Sequence, residues 1–318
     1  MKLSPLERDV LALLTFRGDS SAREIAEILG VREHKIRYAL DKLKRSRACY
    51  FYPFVNFHRI GLMEFELFIA LKSGGAEARE RLVKALRGAP RVKFVGALGG
   101  EYQLDVLVLA HGVEDLRNTV DSLSQGVPGL DFQMDLVVLG SVTYFAANFL
   151  GPKKLVHESV TFAPVDEIYD GDELDKRIIE SLFNKQYTSL RLLSRDLKVP
   201  EQTLSYRLER LKKEGVILGL GYVIDHVKVG LSMTVILVKV KRPSRELTAK
   251  IIQSCRELEC VCFVVESYGA WDYQIGVMLA EPTQLSAVID RIRGDTKGEF
   301  DRIVPVPAFE TLKSNVSL

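Results

Sequence analysis

Residues 6–43 of this chain align without gaps on residues 174–211, and that internal repeat limits the possible folds more than any other feature. Leu6, Val10, Leu14, Ile25, Leu29, Val31, Ile36, Tyr38, Leu40, Leu43 and Lys44 fall on Leu174, Ile178, Leu182, Leu193, Leu197, Val199, Leu204, Tyr206, Leu208, Leu211 and Lys212. After one inserted residue the correspondence continues, with Gly61-Leu62 on Gly230-Leu231, Gly100 on Gly269 and Gly129 on Gly298. The chain reads as one unit used twice. At 318 residues and 47% hydrophobic content each half can bury a core of its own. Between the halves, GPKKLVHESVTFAPVDEIYDGD carries Gly151, Pro152 and Pro164 with little helical periodicity, as a connector does. Its apolar stretch at 160–165 suits an extended strand laid along a domain.

In the first unit Leu6, Val10, Leu13 and Leu14 mark one helix. Ser20-Ser21 opens a second with a hydroxyl cap, Ile25, Ile28 and Leu29 give it an apolar face, and Gly30 ends it. A third helix over about residues 32–45 turns Ile36, Leu40 and Leu43 inward, which makes a helix-turn-helix. The second unit repeats the order over 174–182, 189–197 and 201–213, and VILGLGYVID then alternates as a wing strand should. The stretch SLRLLSRDLKVPEQTLSYRLERLKKEGVI resembles the helix-turn-helix of the Lrp/AsnC transcriptional regulators.

DNA readers of this kind set the third helix in the major groove. The resemblance therefore brings Arg32, His34, Lys35, Arg37 and Tyr38 to the groove, with Lys42, Lys44, Arg45 and Arg47 extending a basic stripe opposed only by Glu33 and Asp41. The second unit offers Gln202, Thr203, Ser205, Tyr206, Arg207 and Arg210 for readout, nearly balanced by Glu201, Glu209 and Glu214. With a net charge of +2, contact with nucleic acid rests on these local patches. The first unit departs from the family pattern in two places. Ala39 stands where Arg207 does, and its wing reads ACYFYPFVNF, which either packs on protein or stacks on DNA.

After each wing the pattern gives strand 63–71, helix 77–87, strand 91–98, strand 102–110, helix 113–124 and strand 130–139, and again from 232 to 309. This βαββαβ order makes a four-stranded antiparallel sheet with two helices on one face. The expected fold is α+β, with a winged helix-turn-helix and a ferredoxin-like domain each present twice. The expected boundaries are 1–59, 60–147, a connector at 148–171, 172–228 and 229–318. The ferredoxin-like part resembles the RAM domain by which Lrp/AsnC proteins dimerise and bind amino acids or related effectors. Gly269-Ala270-Trp271-Asp272 carries that resemblance, and Gly100-Glu101-Tyr102-Gln103 is its counterpart with an amide in place of the acid.

The resemblance implies an effector site at Gly100, Tyr102, Gln103, Gly269, Trp271 and Asp272, where a carboxylate receives an amino group and an amide offers a neutral partner. The competing reading has Asp272 and Gln103 satisfying backbone groups of a tight turn. Double-stranded DNA and a small effector are the implied partners. The chain is expected to pair its own two sheets as a pseudo-dimer open to further homo-oligomerisation.

The start MKLSPLERDVLALL lacks a signal-peptide pattern, and no apolar run reaches the roughly 20 residues that span a bilayer, so a cytoplasmic protein with no membrane partner is expected. Cys49, Cys255, Cys260 and Cys262 suit a reducing compartment, and Cys260 and Cys262 alternate on an apolar stretch without a companion ligand pair. No metal, cofactor or catalytic residue is assigned, and GALGG lacks the spacing of a dinucleotide loop. Two other functions compete. Siroheme decarboxylases also resemble Lrp/AsnC proteins in paired or fused halves, yet KFVGALGGEYQLDVLV and CFVVESYGAWDYQIGV hold neither histidine nor arginine. The other competitor is a ligand-sensing scaffold that does not bind DNA.

Overall fold

The computed structural model describes residues 2–72, 75–150, 159–185 and 189–318, so the Gly151-Pro152 start of the connector lies outside the described residues. The first helix-turn-helix is α1 (Pro5–Leu14), α2 (Ala22–Leu29) and α3 (Glu33–Arg45), followed by β1 (Cys49–Val55). Next come β2 (Met63–Leu71), α4 (Gly75–Gly88), β3 (Val92–Leu98), β4 (Leu104–Ala110), α5 (Val113–Gly126) and β5 (Phe132–Phe145). The connector contributes β6 (Ser159–Phe162), which pairs with the end of β5. The order then repeats as α6 (Glu173–Asn184), α7 (Leu190–Leu197), α8 (Glu201–Lys213), β7 (Ile217–Ile224), the short α9 (His226–Val229), β8 (Ser232–Val240), α10 (Arg245–Glu257), β9 (Val261–Gly269), β10 (Tyr273–Leu279), α11 (Leu285–Asp295) and β11 (Phe300–Ser314).

The two wing strands pair with each other. β1 and β7 form an antiparallel ribbon running from Cys49 opposite Ile224 to Val55 opposite Ile217. This decides the open question about the aromatic wing, because Phe51 and Phe54 are buried. The Phe54 ring lies 5.2 Å from Phe16 and 5.6 Å from Tyr144, so these rings pack on protein.

Each ferredoxin-like unit has the same internal strand order, β5-β2-β4-β3 in the first and β11-β8-β10-β9 in the second. The register also agrees, since Phe65 faces Val138 and, 169 residues on, Thr234 faces Pro307. The two four-stranded sheets are joined edge to edge. β3 pairs with β11 and β9 pairs with β5, which closes eight strands into one ring. The last strand of each unit therefore runs past its expected end. The first part of β5 pairs with β2 of its own unit and the second part with β9 of the other.

Side chains alternate across these strands with period two. Outward residues such as Leu67, Val106, Ile236 and Ile275 meet the helices in two separate cores. Inward residues, among them Phe68, Leu98, Tyr102, Leu237, Trp271 and Val306, fill the ring in a third.

A cluster of polar side chains shares that interior. The Gln274 amide donates to Glu66 Oε2, and Glu66 lies within hydrogen-bonding reach of Asp105. Asp105 Oδ1 is buried and finds no donor among the described residues. Burial, and then the neighbouring Asp105 charge, push the Glu66 carboxyl well above the usual carboxylate range; burial raises Asp105 as well. A proton on Glu66, donated to Asp105, satisfies both groups. Because these carboxyls hold protons more tightly folded than unfolded, their contribution to stability is whole below about pH 4 and is lost as pH rises through the raised folded values. Glu66→Gln keeps both hydrogen bonds without the second charge. Thermal melts between pH 4 and pH 8 should show a flatter profile for this variant and a gain of about 1–2 kcal/mol at neutral pH; an unchanged slope would contradict the shared proton.

Candidate nucleic-acid interface

The third helix of each helix-turn-helix is positioned by its apolar face. Ile36, Ala39 and Leu43 anchor α3, and Leu204 and Leu211 anchor α8. Gly30 at φ +63° makes the tight turn before α3, and Lys198 takes the same left-handed conformation at φ 56° before α8. Of the expected contact residues, Arg32, His34, Lys35, Arg37, Tyr38, Lys44 and Arg45 remain outward on α3, with Asp41 exposed among them. On α8 they are Gln202, Thr203, Ser205 and Tyr206, beside exposed Glu201, Glu209 and Lys213. Tyr38 is 72% exposed and Tyr206 66%, so neither ring packs in the fold and the repeat equivalence of the two is a surface equivalence.

The helix N-termini differ in a way that bears on DNA. The first and second helices all start on a side-chain cap: Ser4 for α1, Ser21 for α2, Asp172 for α6 and Ser189 for α7. At α3 and α8 the cap residues are Arg32 and Pro200, and neither supplies a side-chain hydrogen bond. Their first-turn N–H groups are left without a side-chain acceptor, at the end of the helix that attracts phosphate. Arg37 contacts Glu33 in an exposed i,i+4 pair, which is weak enough for a phosphate to displace. Lys44 leans toward the Tyr222 ring, 5.9 Å from its centroid.

Three expected contact residues are engaged by partners within the fold instead. Lys42 Nζ lies 2.6 Å from Glu7 Oε1 on α1. Burial raises the Glu7 carboxyl, but hydrogen bonds from Lys42 and the Ser4 N–H outweigh it and hold Glu7 below its usual range. Arg207 reaches back to α6, 2.8 Å from Asp172 and 3.2 Å from Asp175. Arg210 lies over the Tyr169 ring at 5.2 Å, and the Tyr169 hydroxyl donates to Asp175 at 2.8 Å. Both units thus tie the third helix to an acid on the first, through Lys42 in one and Arg207 in the other, and this accounts for Ala39 standing at the Arg207 position. Asp175 is 1% exposed, so Arg207→Ala leaves a buried carboxylate short of its cation. A loss of roughly 1–2 kcal/mol is expected in urea unfolding, and a change within error would mean that Tyr169 alone satisfies Asp175.

The proposed effector turns are brought together, but their polar groups are already engaged. Asp272 accepts from the Val240 N–H at 2.9 Å and from Lys239 Nζ at 2.8 Å. Gln103 does the equivalent work in the first unit, accepting from the Leu71 N–H at 2.7 Å and donating to Gly100 O at 3.1 Å. Both residues therefore satisfy the backbone end of the neighbouring strand, close to the competing reading of them. Tyr102 and Trp271 meet across the ring, with the indole N–H donating to the Tyr102 hydroxyl at 3.2 Å. A cavity of about 100 Å³ lies elsewhere, between Ile60, Leu62, Arg91, His111 and the start of α6. The four cysteines are free thiols, and among the described residues no group of three or more His, Cys, Asp or Glu side chains is arranged to hold a metal. No helix among those residues is long and apolar enough to cross a membrane.

Residues 171–217 match the family described as winged helix-turn-helix DNA-binding. HTH-type transcriptional regulator FL11 of Pyrococcus horikoshii is 31% identical over 122 residues, covering 38% of this chain and 79% of that protein. HTH-type transcriptional regulator LysM of Sulfurisphaera tokodaii is 30% identical over 126 residues, covering 39% and 86%. The DNA-binding transcriptional activator DecR of Escherichia coli is 24% identical over 148 residues, covering 46% and 97%. Among solved structures, the siroheme decarboxylase NirDL superposes with a TM-score of 0.58 over 98% of this chain and 93% of its own, at 14% identity. That last likeness is one of fold.

Proposed function

Because the chain belongs to the HTH-type transcriptional regulators of the Lrp/AsnC kind, we propose that it reads double-stranded DNA with α3 and α8 as two unlike heads of a tandem-duplicated regulator. The observation that carries this is the outward face of α3, where Arg32, His34, Lys35, Arg37, Tyr38, Lys44 and Arg45 adjoin a helix N-terminus with no side-chain cap. On this reading the chain divides at residues 59, 147, 171 and 228 into two reading domains, two sensing domains and a connector. One head is basic and the other is rich in amide and hydroxyl groups, so the preferred site is non-palindromic, with one strong and one weak half.

The test is a salt titration of binding. Replacing both Lys35 and Arg37 with alanine should weaken binding at every sequence and lower the salt slope by about 2. Unchanged, salt-insensitive behaviour would favour the scaffold reading. Effector sensing belongs to the same proposal, with an amino acid or related metabolite at the turns of Tyr102 and Trp271. There the ligand's amino group competes with Lys239 for Asp272, and calorimetry with an amino-acid panel measures it. A second reading, siroheme-decarboxylase-like catalysis, takes its support from the whole-length likeness in fold. Addition of a tetrapyrrole without any change in its absorbance would remove that reading.

A further inference from the structure

The ring of eight strands is joined at two seams, and equivalent positions at the two seams carry unlike side chains. Where β3 meets β11, the Phe309 ring lies over Gly99; where β9 meets β5, the Tyr268 ring lies over Gly140. A Cβ on Gly99 would stand 2.7 Å from Phe309 Cζ, and one on Gly140 would stand 2.9 Å from Tyr268 Cε2. In the repeat, Gly99 corresponds to Tyr268 and Gly140 to Phe309. The pairing agrees, since Leu98 faces Ala308 at one seam and their equivalents Ser267 and Leu139 face each other at the other. Both holes belong to the first unit and both knobs to the second.

The interior polar groups follow the same division. Gln274 corresponds to Asp105, and Val235 to Glu66. As built, the Gln274 amide of the second unit meets the Glu66 carboxyl of the first. Pairing the first unit with a copy of itself would set each Glu66 against a second Asp105, gathering four carboxyls in one buried space. Pairing the second unit with a copy of itself would set Gln274 against Val235, stranding a buried amide, while Phe309 and Tyr268, 56% and 60% exposed, would lie side by side at the surface. Buried groups left in that state cost far more than matched ones gain.

We propose that the seam surfaces of each unit accept the unlike unit and refuse a copy of the same one, with a stranded buried amide guarding the second unit and buried charge guarding the first. The chain then completes its barrel without like-with-like dimerisation through either unit. This inference is independent of DNA binding.

Two measurements on the full chain test it. In the first, a protease site is placed between residues 150 and 159, and the purified chain is cut, unfolded, refolded and weighed by native mass spectrometry. Only pairs of one first and one second unit are expected, whereas Gln274→Leu should allow second-unit pairs to form. Like-with-like pairs in random-mixing proportions from the wild type would overturn the proposal. The second, on the uncut chain, covers the case in which the cut halves fail to refold. Gln274→Asp, which sets a further carboxyl against Glu66, should lower Tm by about 3–6 °C, and adding Glu66→Gln should restore most of it. A double variant no better than Gln274→Asp would overturn the proposal equally.

Discussion

Replacing Trp271 with alanine is expected to lower the unfolding free energy by about 3–5 kcal/mol, a loss larger than any surface or capping change in this chain should give. Trp271 is 1% exposed at the centre of the ring, where the turns of the two units meet. Its indole N–H donates to the Tyr102 hydroxyl, which in turn donates to Asp135. On its other side Arg302 lies 4.9 Å from the ring and forms an ion pair with Glu101 at 3.0 Å, so residues of both units bear on it. Removing the indole opens a cavity that neither backbone can follow, because each is fixed by strand pairing on both sides. It also leaves the Tyr102 hydroxyl without its donor. The chain has a single tryptophan, so the variant must be followed by far-ultraviolet circular dichroism in urea. A loss below about 1 kcal/mol would mean that neighbouring side chains collapse into the space.

Gly221→Val is expected to cost about 3 kcal/mol or more, because the obstacle is backbone. A Cβ at Gly221 would stand 1.9 Å from the Thr15 carbonyl oxygen. The approach is mutual: Gly18 donates its N–H to Leu220 O at 2.7 Å, and a Cβ on Gly18 would meet Gly221 Cα at 2.8 Å. The segment after α1 thus runs directly along β7, and only two facing glycines permit it. The variant should lose Tm, and the amides of β1 and β7 should exchange hydrogen faster. Normal protection of both strands would show that the ribbon does not depend on this contact.

The parts of this architecture written in local pattern were legible in the sequence. Ser21, Gly30 and the spacing of Ile36, Leu40 and Leu43 define a helix-turn-helix without reference to distant residues, and the strand at 63–71 is bounded as its alternation implies. Which strands meet across the repeat was not legible, because hydrophobic alternation says which face of a strand is buried and is silent about which strand lies beside it. The ribbon of β1 with β7 and the extension of β5 onto β9 are of that kind. At the candidate interface, the outward set on α3 follows from helical period alone. Arg207 was misplaced because its partners, Asp172 and Asp175, lie more than thirty residues earlier. One signal was present: Ala39 at the equivalent position marks a site whose role is not shared by the two heads.

Closure of the barrel has a consequence for how this chain behaves in a crowded solution. A sheet with an unpaired edge offers a row of N–H and C=O groups on which another strand can grow. Each of the eight ring strands has a neighbour on both sides, so none offers that template along its paired length. Among the described residues the edges that remain belong to β6 and to the β1–β7 ribbon, and β7 is partly covered by Arg17 and Gly18. Conditions that open a seam should therefore expose fresh edges on both units at once, and aggregation should begin with the parting of β3 from β11 or of β5 from β9, before either helical layer unfolds.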